Sequence, residues 1–224
     1  RVVEGYLVNG VFQAVEEKGP ITIDEKVYSV TYVYTDPKTD DANNSNAKQT
    51  VTITNTQQDP KFTLDVTKKS AGNDGEGGKQ KLLAGVEFTL ERLTTDSTGK
   101  MVVDSSFGKH TGVTNGKGEL MLTGSNGEAT EIKGFKDLEA GTYRLTETKA
   151  AKDYNLLSEP ITIIFSKDGK CKVGDDSLMQ ANKNKIFTGD AAKGYTLSLT
   201  VLNRKTPALP HTGADAPSLW LLIG

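Results

Sequence analysis

Cysteine is nearly absent from this chain of 224 residues, which contains Cys171 as its single thiol. An intrachain disulfide is therefore excluded, although an extracellular domain with a small hydrophobic core usually depends on such a cross-link. Aromatic residues are also scarce, at 7% of the chain, within a hydrophobic fraction of 35%. A domain with so lean a core needs another source of stability.

An excess of charge of one sign is lacking as well, because 27 Lys and Arg residues nearly balance 29 Asp and Glu residues. The sequence forms no basic face, so nucleic acid is not expected as a partner.

Cys171 lies in a polar segment, which we interpret as a loop, without a Cys or His partner, and His110 is isolated. No catalytic triad or metal-ligand spacing stands out, so we predict no metal, no cofactor and no enzymatic turnover.

Short runs in which apolar and polar residues alternate are frequent, and they are rich in β-branched side chains. A period of two predicts half-buried strands, and the clearest runs are 27–34, 50–55, 62–66, 142–146, 161–165 and 197–201. Turn signals such as Asn115-Gly116 separate them. Helical periodicity is absent, although 177–182 is compatible with one turn of helix. The pattern predicts an all-β protein, most simply a β-sandwich of two sheets.

A weak internal repeat divides the chain. The segment 10–18 resembles 141–149, and each unit closes on a strand that ends in Asn, at Asn55 and Asn203. The second unit is complete, whereas the first lacks its N-terminal half. We therefore predict three parts, which are the C-terminal piece of one β domain (1–58), a complete sandwich (59–204) and a C-terminal tail (205–224).

The tail contains a pentapeptide directly before the apolar stretch 217–223, and its residues are Leu209, Pro210, His211, Thr212 and Gly213. This arrangement resembles the LPXTG cell-wall sorting signal of secreted Gram-positive surface proteins. The resemblance implies that a sortase cleaves after Thr212 and joins the Thr212 carbonyl to an amine of peptidoglycan or of a pilus subunit, which would place the protein on the cell wall. Pro210 favours an extended Leu209, the shape that a protease-like groove binds.

The signal is incomplete here, because the apolar stretch is short and the usual basic tail does not follow. The chain also begins with Arg1 and carries no signal peptide. We therefore expect this sequence to be a fragment of a longer precursor. The alternative for the pentapeptide is a chance match before a frayed apolar terminus.

Three predicted strands carry an apolar row on one face that ends in a polar residue. The rows are Leu64, Val66, Lys68; Tyr143, Leu145, Glu147; and Leu197, Leu199, Val201, Asn203. Because side chains two residues apart share a face, Lys68, Glu147 and Asn203 should all point into the core. Burying three such groups is costly unless they satisfy one another.

The segments that carry these residues resemble the CnaB-type domains, also called SpaA-like or prealbumin-like, of Gram-positive pilins and adhesins. The similarity lies in 64–68, 83–90, 141–150 and 201–203, and it extends roughly over 59–213 and more loosely over 1–58. It implies a prealbumin-like sandwich and a covalent isopeptide bond between Lys68 and Asn203 that Glu147 assists. The family pattern continues after the Glu as Ala-Pro-x-Gly-Tyr, whereas this chain has Ala150-Ala151-Lys152-Asp153-Tyr154, so a different turn is expected there.

Elementary chemistry supports such a bond. Burial disfavours charged groups, so Lys68 can become a neutral nucleophile and Glu147 can stay protonated. A protonated Glu147 can donate to the carbonyl oxygen of Asn203 and then pass a proton to the departing ammonia. The alternative is a buried Lys–Glu ion pair beside a satisfied Asn.

The first unit repeats part of this pattern, with Glu16 and Asn55 in the positions of Glu147 and Asn203. The lysine partner of Asn55 would lie upstream of Arg1. The sequence position of Lys61 loosely resembles that of the lysine through which pilin subunits are joined.

The sequence thus predicts a wall-anchored structural protein or pilin subunit with a sortase as its partner. The alternatives are the stalk of an adhesin that binds a host ligand through an upstream domain, and a wall-anchored enzyme whose catalytic domain lies upstream.

Overall fold

The computed structural model describes residues 5–8, 11–14, 21–24, 26–35 and 50–207. The regular secondary structure of these residues is almost entirely β-strand, with one α-helix, α1 (Asp176–Ala181), and one 3-10 turn at Glu76–Gly78. The all-β class predicted from the sequence is confirmed, and α1 lies where one helical turn was expected. None of the helices in the described ranges is both long and apolar enough to cross a membrane.

The first five strands form two small antiparallel sheets. Their bounds are β1 (Gly5–Val8), β2 (Val11–Ala14), β3 (Ile21–Ile23), β4 (Lys26–Thr35) and β5 (Thr50–Gln58). β1 pairs with β2, and β4 lies between β3 and β5. Among the described residues β5 is therefore an edge strand of its sheet. The alternating Val, Tyr and Thr residues of β4 suit a pleated, half-buried surface.

The following strands form a sandwich of two sheets. The smaller sheet contains β6 (Phe62–Ser70), β12 (Phe135–Leu138), β16 (Lys185–Asp190) and β17 (Gly194–Asn203), in the order β12-β6-β17-β16. The larger sheet contains β7 (Glu87–Thr95), β8 (Met101–Val103), β9 (Lys109–Thr114), β10 (Leu120–Thr123), β11 (Ala129–Lys133), β13 (Gly141–Lys149), β14 (Ile161–Phe165) and β15 (Cys171–Val173). Its order is β11-β10-β9-β7-β13-β14-β15, with β8 paired to β7. The predicted two-sheet sandwich is confirmed.

The domain boundaries stay a prediction. β5 ends at Gln58 and β6 begins at Phe62, and these two strands belong to different sheets.

Cys171 departs from its expected position in a polar loop, since it is the first residue of β15 and is half-buried. The alternation of Cys171, Lys172 and Val173 places Val173 in the core, which explains why this short polar segment forms a strand.

β6 and β17, the first and last strands of the sandwich, are neighbours in the smaller sheet. They pair in parallel, with Leu197 opposite Leu64 and Val201 opposite Lys68. Every second residue of β6 is buried, from Phe62 to Ser70. The pairing joins segments far apart in sequence, which costs loop-closure entropy that burial must offset.

The core between the two sheets has an aromatic end and a polar end. At the aromatic end Phe62 stacks on Phe165 of the larger sheet, with ring centroids 4.5 Å apart. Leu64 and Val66 follow along β6 and are fully buried. Lys68 comes next in the same row, so the polar end of the core lies at the C-terminal ends of β6 and β17.

A tight turn between β9 and β10 supports the backbone of Lys68. Gly118 closes this turn, and its carbonyl oxygen accepts a hydrogen bond of 2.7 Å from the amide of Lys68. Gly118 has φ of 70°, a conformation that glycine adopts without strain. A Cβ at this position would lie 2.5 Å from the carbonyl oxygen of Lys68. A side chain therefore cannot be accommodated without moving β6 or the turn.

We predict that Gly118→Ala destabilises the sandwich by about 2–4 kcal/mol, because the left-handed conformation and the contact with Lys68 both disfavour a Cβ. The melting temperature should fall by about 5–15 °C in a calorimetric scan. Gly116→Ala is the matched control, since Gly116 belongs to the same turn and a Cβ there meets nothing within 4 Å. Equal melting temperatures for the two variants would contradict this account of the turn.

Candidate functional site

Three polar side chains occupy the polar end of the core, one from each of β6, β13 and β17. The exposed fraction is 0% for Lys68, 6% for Glu147 and 2% for Asn203. Each residue continues the buried row of its strand, because alternate residues of a strand face the same side. The structure therefore brings together the three residues that the sequence predicts to face inward.

The three side chains form a closed ring of hydrogen bonds. Lys68 Nζ donates to Asn203 Oδ1 at 2.5 Å and to Glu147 Oε2 at 3.0 Å. Asn203 Nδ2 donates to Glu147 Oε1 at 2.6 Å. Lys68 Nζ also lies 5.6 Å from the centroid of the Phe88 ring, where the ring face attracts a cation. Each polar group of the ring thus has a partner in place of water.

Local features of the strands fix these positions. The pairing of β13 with β7 shifts register between Glu147 and Lys149, so a β-bulge follows Glu147 directly. Such bulges re-aim side chains beside functional sites. The carbonyl oxygen of Lys68 accepts from Leu83 at 3.0 Å, and that of Asn203 accepts from Ala71 at 2.7 Å. The backbone is therefore anchored on both sides of the ring.

Burial changes the acid–base behaviour of the amine. Desolvation lowers the pKa of Lys68 from its ordinary value of 10.5 to about 8, although the charge and hydrogen bond of Glu147 act in the opposite direction. Near neutral pH a larger fraction of such amines is therefore neutral than of exposed lysines. Lys68 thus has nucleophilic character near neutral pH.

The orientation of the Asn203 amide differs from the sequence-based expectation. Glu147 was expected to donate to the carbonyl oxygen of Asn203, but the amide nitrogen, Nδ2, faces Glu147. The reason is that Oδ1 is occupied by the ammonium of Lys68. In this arrangement an amine lies beside the amide group, and a carboxylate bridges the amine and the amide nitrogen. These are the components of an amide exchange in a site from which water is excluded.

The other predicted site residues lie apart from this ring. Lys61 precedes β6 at the aromatic end of the core, is exposed, and forms an ion pair of 3.1 Å with Glu139. Asn55 lies opposite Val30 on the edge strand β5, and its side chain is exposed instead of inward-facing. Glu16 and the residues of the pentapeptide, Leu209 to Gly213, lie outside the described residues.

The structure also shows polar residues at this end that sequence reasoning missed. Ser70 is fully buried, accepts a hydrogen bond of 2.7 Å from the amide of Lys81 and donates one of 2.8 Å to the carbonyl of Gly72. It stands two residues after Lys68, so the alternation of β6 could have identified it. Tyr154 and Asp74 hydrogen-bond to each other nearby, and no periodic pattern marks either one.

Comparisons with known proteins agree with this architecture. The family model "SpaA: Prealbumin-like fold domain" matches residues 64–177. No curated protein matches the chain.

Several solved structures are similar to this chain. The C-terminal fragment of the pilus adhesin SpaC from Lactobacillus rhamnosus GG is 20% identical, with a TM-score of 0.42, covering 89% of this chain and 62% of that one. The pilus 2b backbone protein of group B streptococcus is 18% identical, with a TM-score of 0.38 and coverage of 73% and 46%. BcpA, the major pilin subunit of Bacillus cereus, is 18% identical, with a TM-score of 0.39 and coverage of 87% and 43%.

The chain spans between 43% and 62% of the length of these three proteins. The family match covers just over half of the chain and falls on the two-sheet sandwich, from β6 to the start of α1. This chain belongs to the SpaA prealbumin-like domain family.

Proposed function

We propose that this chain is a structural surface protein or pilin subunit whose sandwich is cross-linked by an isopeptide bond between Lys68 Nζ and Asn203 Cγ. The observation that carries the proposal is the buried ring in which Lys68, Glu147 and Asn203 contact one another. Nucleophile, electrophile and proton carrier are thereby held within one water-free site. The family membership supports the same function, since the chain shares the fold of SpaA prealbumin-like domains.

The reaction begins with a proton transfer. The ammonium of Lys68 passes a proton to Glu147 Oε2 along their hydrogen bond of 3.0 Å, which leaves a neutral amine and a carboxylic acid. Burial favours this step because it removes both charges from the core. The lone pair of Nζ then attacks Cγ of Asn203, which forms the new N–C bond and moves the carbonyl electrons onto Oδ1.

Glu147 then exchanges protons within the tetrahedral intermediate. The acid lies 2.6 Å from Asn203 Nδ2 and protonates it, and the resulting carboxylate accepts a proton from Nζ. The Oδ1 electrons reform the carbonyl as the Cγ–Nδ2 bond breaks. The products are one secondary amide and one ammonia, so the reaction needs no oxidant and no cofactor. It occurs once per molecule and is self-processing without turnover.

A cross-link here would supply the stability that the lean core and the single Cys171 do not. Lys68 and Asn203 are 135 residues apart. By analogy with disulfides, closing a loop of this size contributes roughly 5 kcal/mol by constraining the unfolded chain. A force that enters at β6 and leaves at β17 would pass through the new bond and bypass the strands between them. This property suits a stalk.

Wall attachment is the second part of the proposal, and it rests on the pentapeptide at 209–213. A sortase would cleave between Thr212 and Gly213 and transfer the Thr212 carbonyl to an amine on peptidoglycan or on another pilus subunit. β17 ends at Asn203, shortly before this motif. The cross-linked strand would therefore be the one that connects to the wall.

We predict that the intact mass of the purified chain is lower than its sequence mass by one ammonia. Glu147→Gln and Asn203→Ala should restore the sequence mass and lower the melting temperature by about 10–20 °C, because the loop-closure contribution is lost. Lys69→Ala is the control, since Lys69 is the neighbouring, partly exposed lysine and should leave the mass loss intact. A well-folded wild type at its full sequence mass would leave the buried ion pair as the correct interpretation.

We predict a pH effect on the variant that cannot react. In Asn203→Ala the amine of Lys68 stays titratable, with a pKa near 8 when folded and near 10.5 when unfolded. Between these values the unfolded chain binds more protons, so the free energy of unfolding should rise with pH. Urea titrations at several pH values would measure the slope, and the cross-linked wild type should lack this contribution. Equal slopes for the two proteins would contradict the assignment.

We predict that Thr212→Ala, in the full-length protein of the producing cell, moves the protein from the wall fraction to the medium. The reason is that the sortase forms its acyl intermediate with Thr212. His211→Ala is the control, because His211 fills the variable position of the motif and its replacement should leave attachment unchanged. Unaltered wall attachment of the Thr212 variant, measured by fractionation and immunoblot, would refute the sorting role.

A further inference from the structure

All three strands that carry the buried ring continue into one group of contacts at the polar end of the sandwich. We call this group the strand-end clasp, and its members are Ser70, Asp74, Tyr154, Asn155 and Thr206. Ser70 and Asp74 follow Lys68, Tyr154 and Asn155 follow Glu147, and Thr206 follows Asn203. Each strand that supplies a reacting residue is thus tied to the others just beyond that residue.

The first tie joins the segments that follow β6 and β13. The hydroxyl of Tyr154 donates to the carboxylate of Asp74. The nearby hydroxyls of Ser70 and Tyr154 hold the pKa of Asp74 below its usual range, while desolvation and the bond to Asp74 raise the pKa of Tyr154 to about 12. The proton therefore stays on Tyr154 and the charge on Asp74 at neutral pH. Such charge-assisted bonds are stronger than neutral ones.

The second tie joins the segments that follow β13 and β17. The amide of Asn155 donates to the carbonyl of Arg204 at 3.0 Å, and the amide of Thr206 donates to the carbonyl of Asp153 at 2.8 Å. The hydroxyl of Thr206 also donates to Asn155 Oδ1 at 3.0 Å. These bonds begin at the residue directly after Asn203, where a strand end would otherwise fray.

The third tie joins the residue that follows β6 to Asn203. The amide of Ala71 donates to the carbonyl of Asn203 at 2.7 Å. Ser70, buried beside it, holds the following loop through Gly72 and Lys81. The loop that carries Asp74 is thereby fixed at both sides of its contact with Tyr154.

We propose that the strand-end clasp holds Lys68, Glu147 and Asn203 at reacting distance, and that Tyr154 and Asp74 are positioning residues for the isopeptide bond. The inference rests on the proposed function. Asn203 is the last residue of β17 and has a short side chain, so the location of its amide depends on the backbone. A displacement of about 1 Å can slow an intramolecular reaction by about a hundredfold. Lys68 has a long side chain, so the position of its Nζ can adjust far more than the position of the Asn203 amide.

The test compares folding with bond formation in Tyr154→Phe and Asp74→Ala. Tyr154→Phe keeps the ring that packs on the core, and Asp74 is exposed, so both chains should fold. The full chain is isolated unfolded from inclusion bodies in guanidinium chloride and refolded by dilution. Circular dichroism measures the folded fraction, and the mass of quenched samples measures the loss of ammonia. We expect both variants to fold at the wild-type rate and to form the bond about tenfold more slowly.

Two further variants separate positioning from general stability. The double variant should react no more slowly than either single variant, because both changes remove one shared interaction. Tyr143→Phe is the matched control, since it removes a hydroxyl that bonds to the carbonyl of Glu139 at 2.9 Å on the same strand as Glu147. It should lower the melting temperature without slowing the reaction of the folded chain.

The outcomes distinguish the two proposals. If the wild type reacts and both clasp variants react equally fast, the clasp has no positioning role. The clasp also has no specific positioning role if Tyr143→Phe slows the reaction as much as Tyr154→Phe and the Asp74 variant do. A wild type that folds and keeps its full sequence mass overturns the cross-link itself, and the role of the clasp with it.

Discussion

An ammonium group buried in an apolar core is unfavourable unless its charge is balanced or removed. In this sandwich Lys68 is fully buried, and its Nζ contacts Glu147 and Asn203 between the two sheets. An ion pair would balance the charge, but its desolvation offsets most of the Coulomb gain. Conversion of the amine to an amide removes the charge permanently. The buried ring therefore holds together the two groups whose reaction, in the proposed isopeptide bond, would remove this charge.

The position of this ring depends on the pairing of the first strand with the last. β6 and β17 run parallel, so their aromatic residues meet at one end and Lys68 and Asn203 meet at the other. Glu147 enters from the facing sheet, at a bulge of β13. A bond between parallel neighbours at their C-terminal ends joins the strands that enter and leave the sandwich. If the proposed bond forms, the intervening strands would carry no load when the chain is stretched.

The sequence predicted the inward orientation of Lys68, Glu147 and Asn203 because a strand has a period of two. Lys68 continues the row of Leu64 and Val66, and a slip of one residue would turn that whole row to solvent. The same pattern at Asn55 stays a prediction, and the side chain there is exposed in the described part of the chain. The clasp could not be predicted, because Asp74 and Tyr154 are 80 residues apart and lie in irregular segments without periodicity.

The clasp also explains how the departure from the family pattern after Glu147 is accommodated. Asp153 stands where that pattern has Gly, and its φ of 69° keeps the left-handed conformation that glycine favours. Asp tolerates this conformation better than most side chains, at a cost of roughly 1 kcal/mol. The carbonyl of Asp153 accepts the bond from Thr206, so the turn ties β13 to the end of β17. The left-handed turn at Asp153 thus lies just beyond the strands that carry Glu147 and Asn203, where the proposed bond would need those strands to be in register.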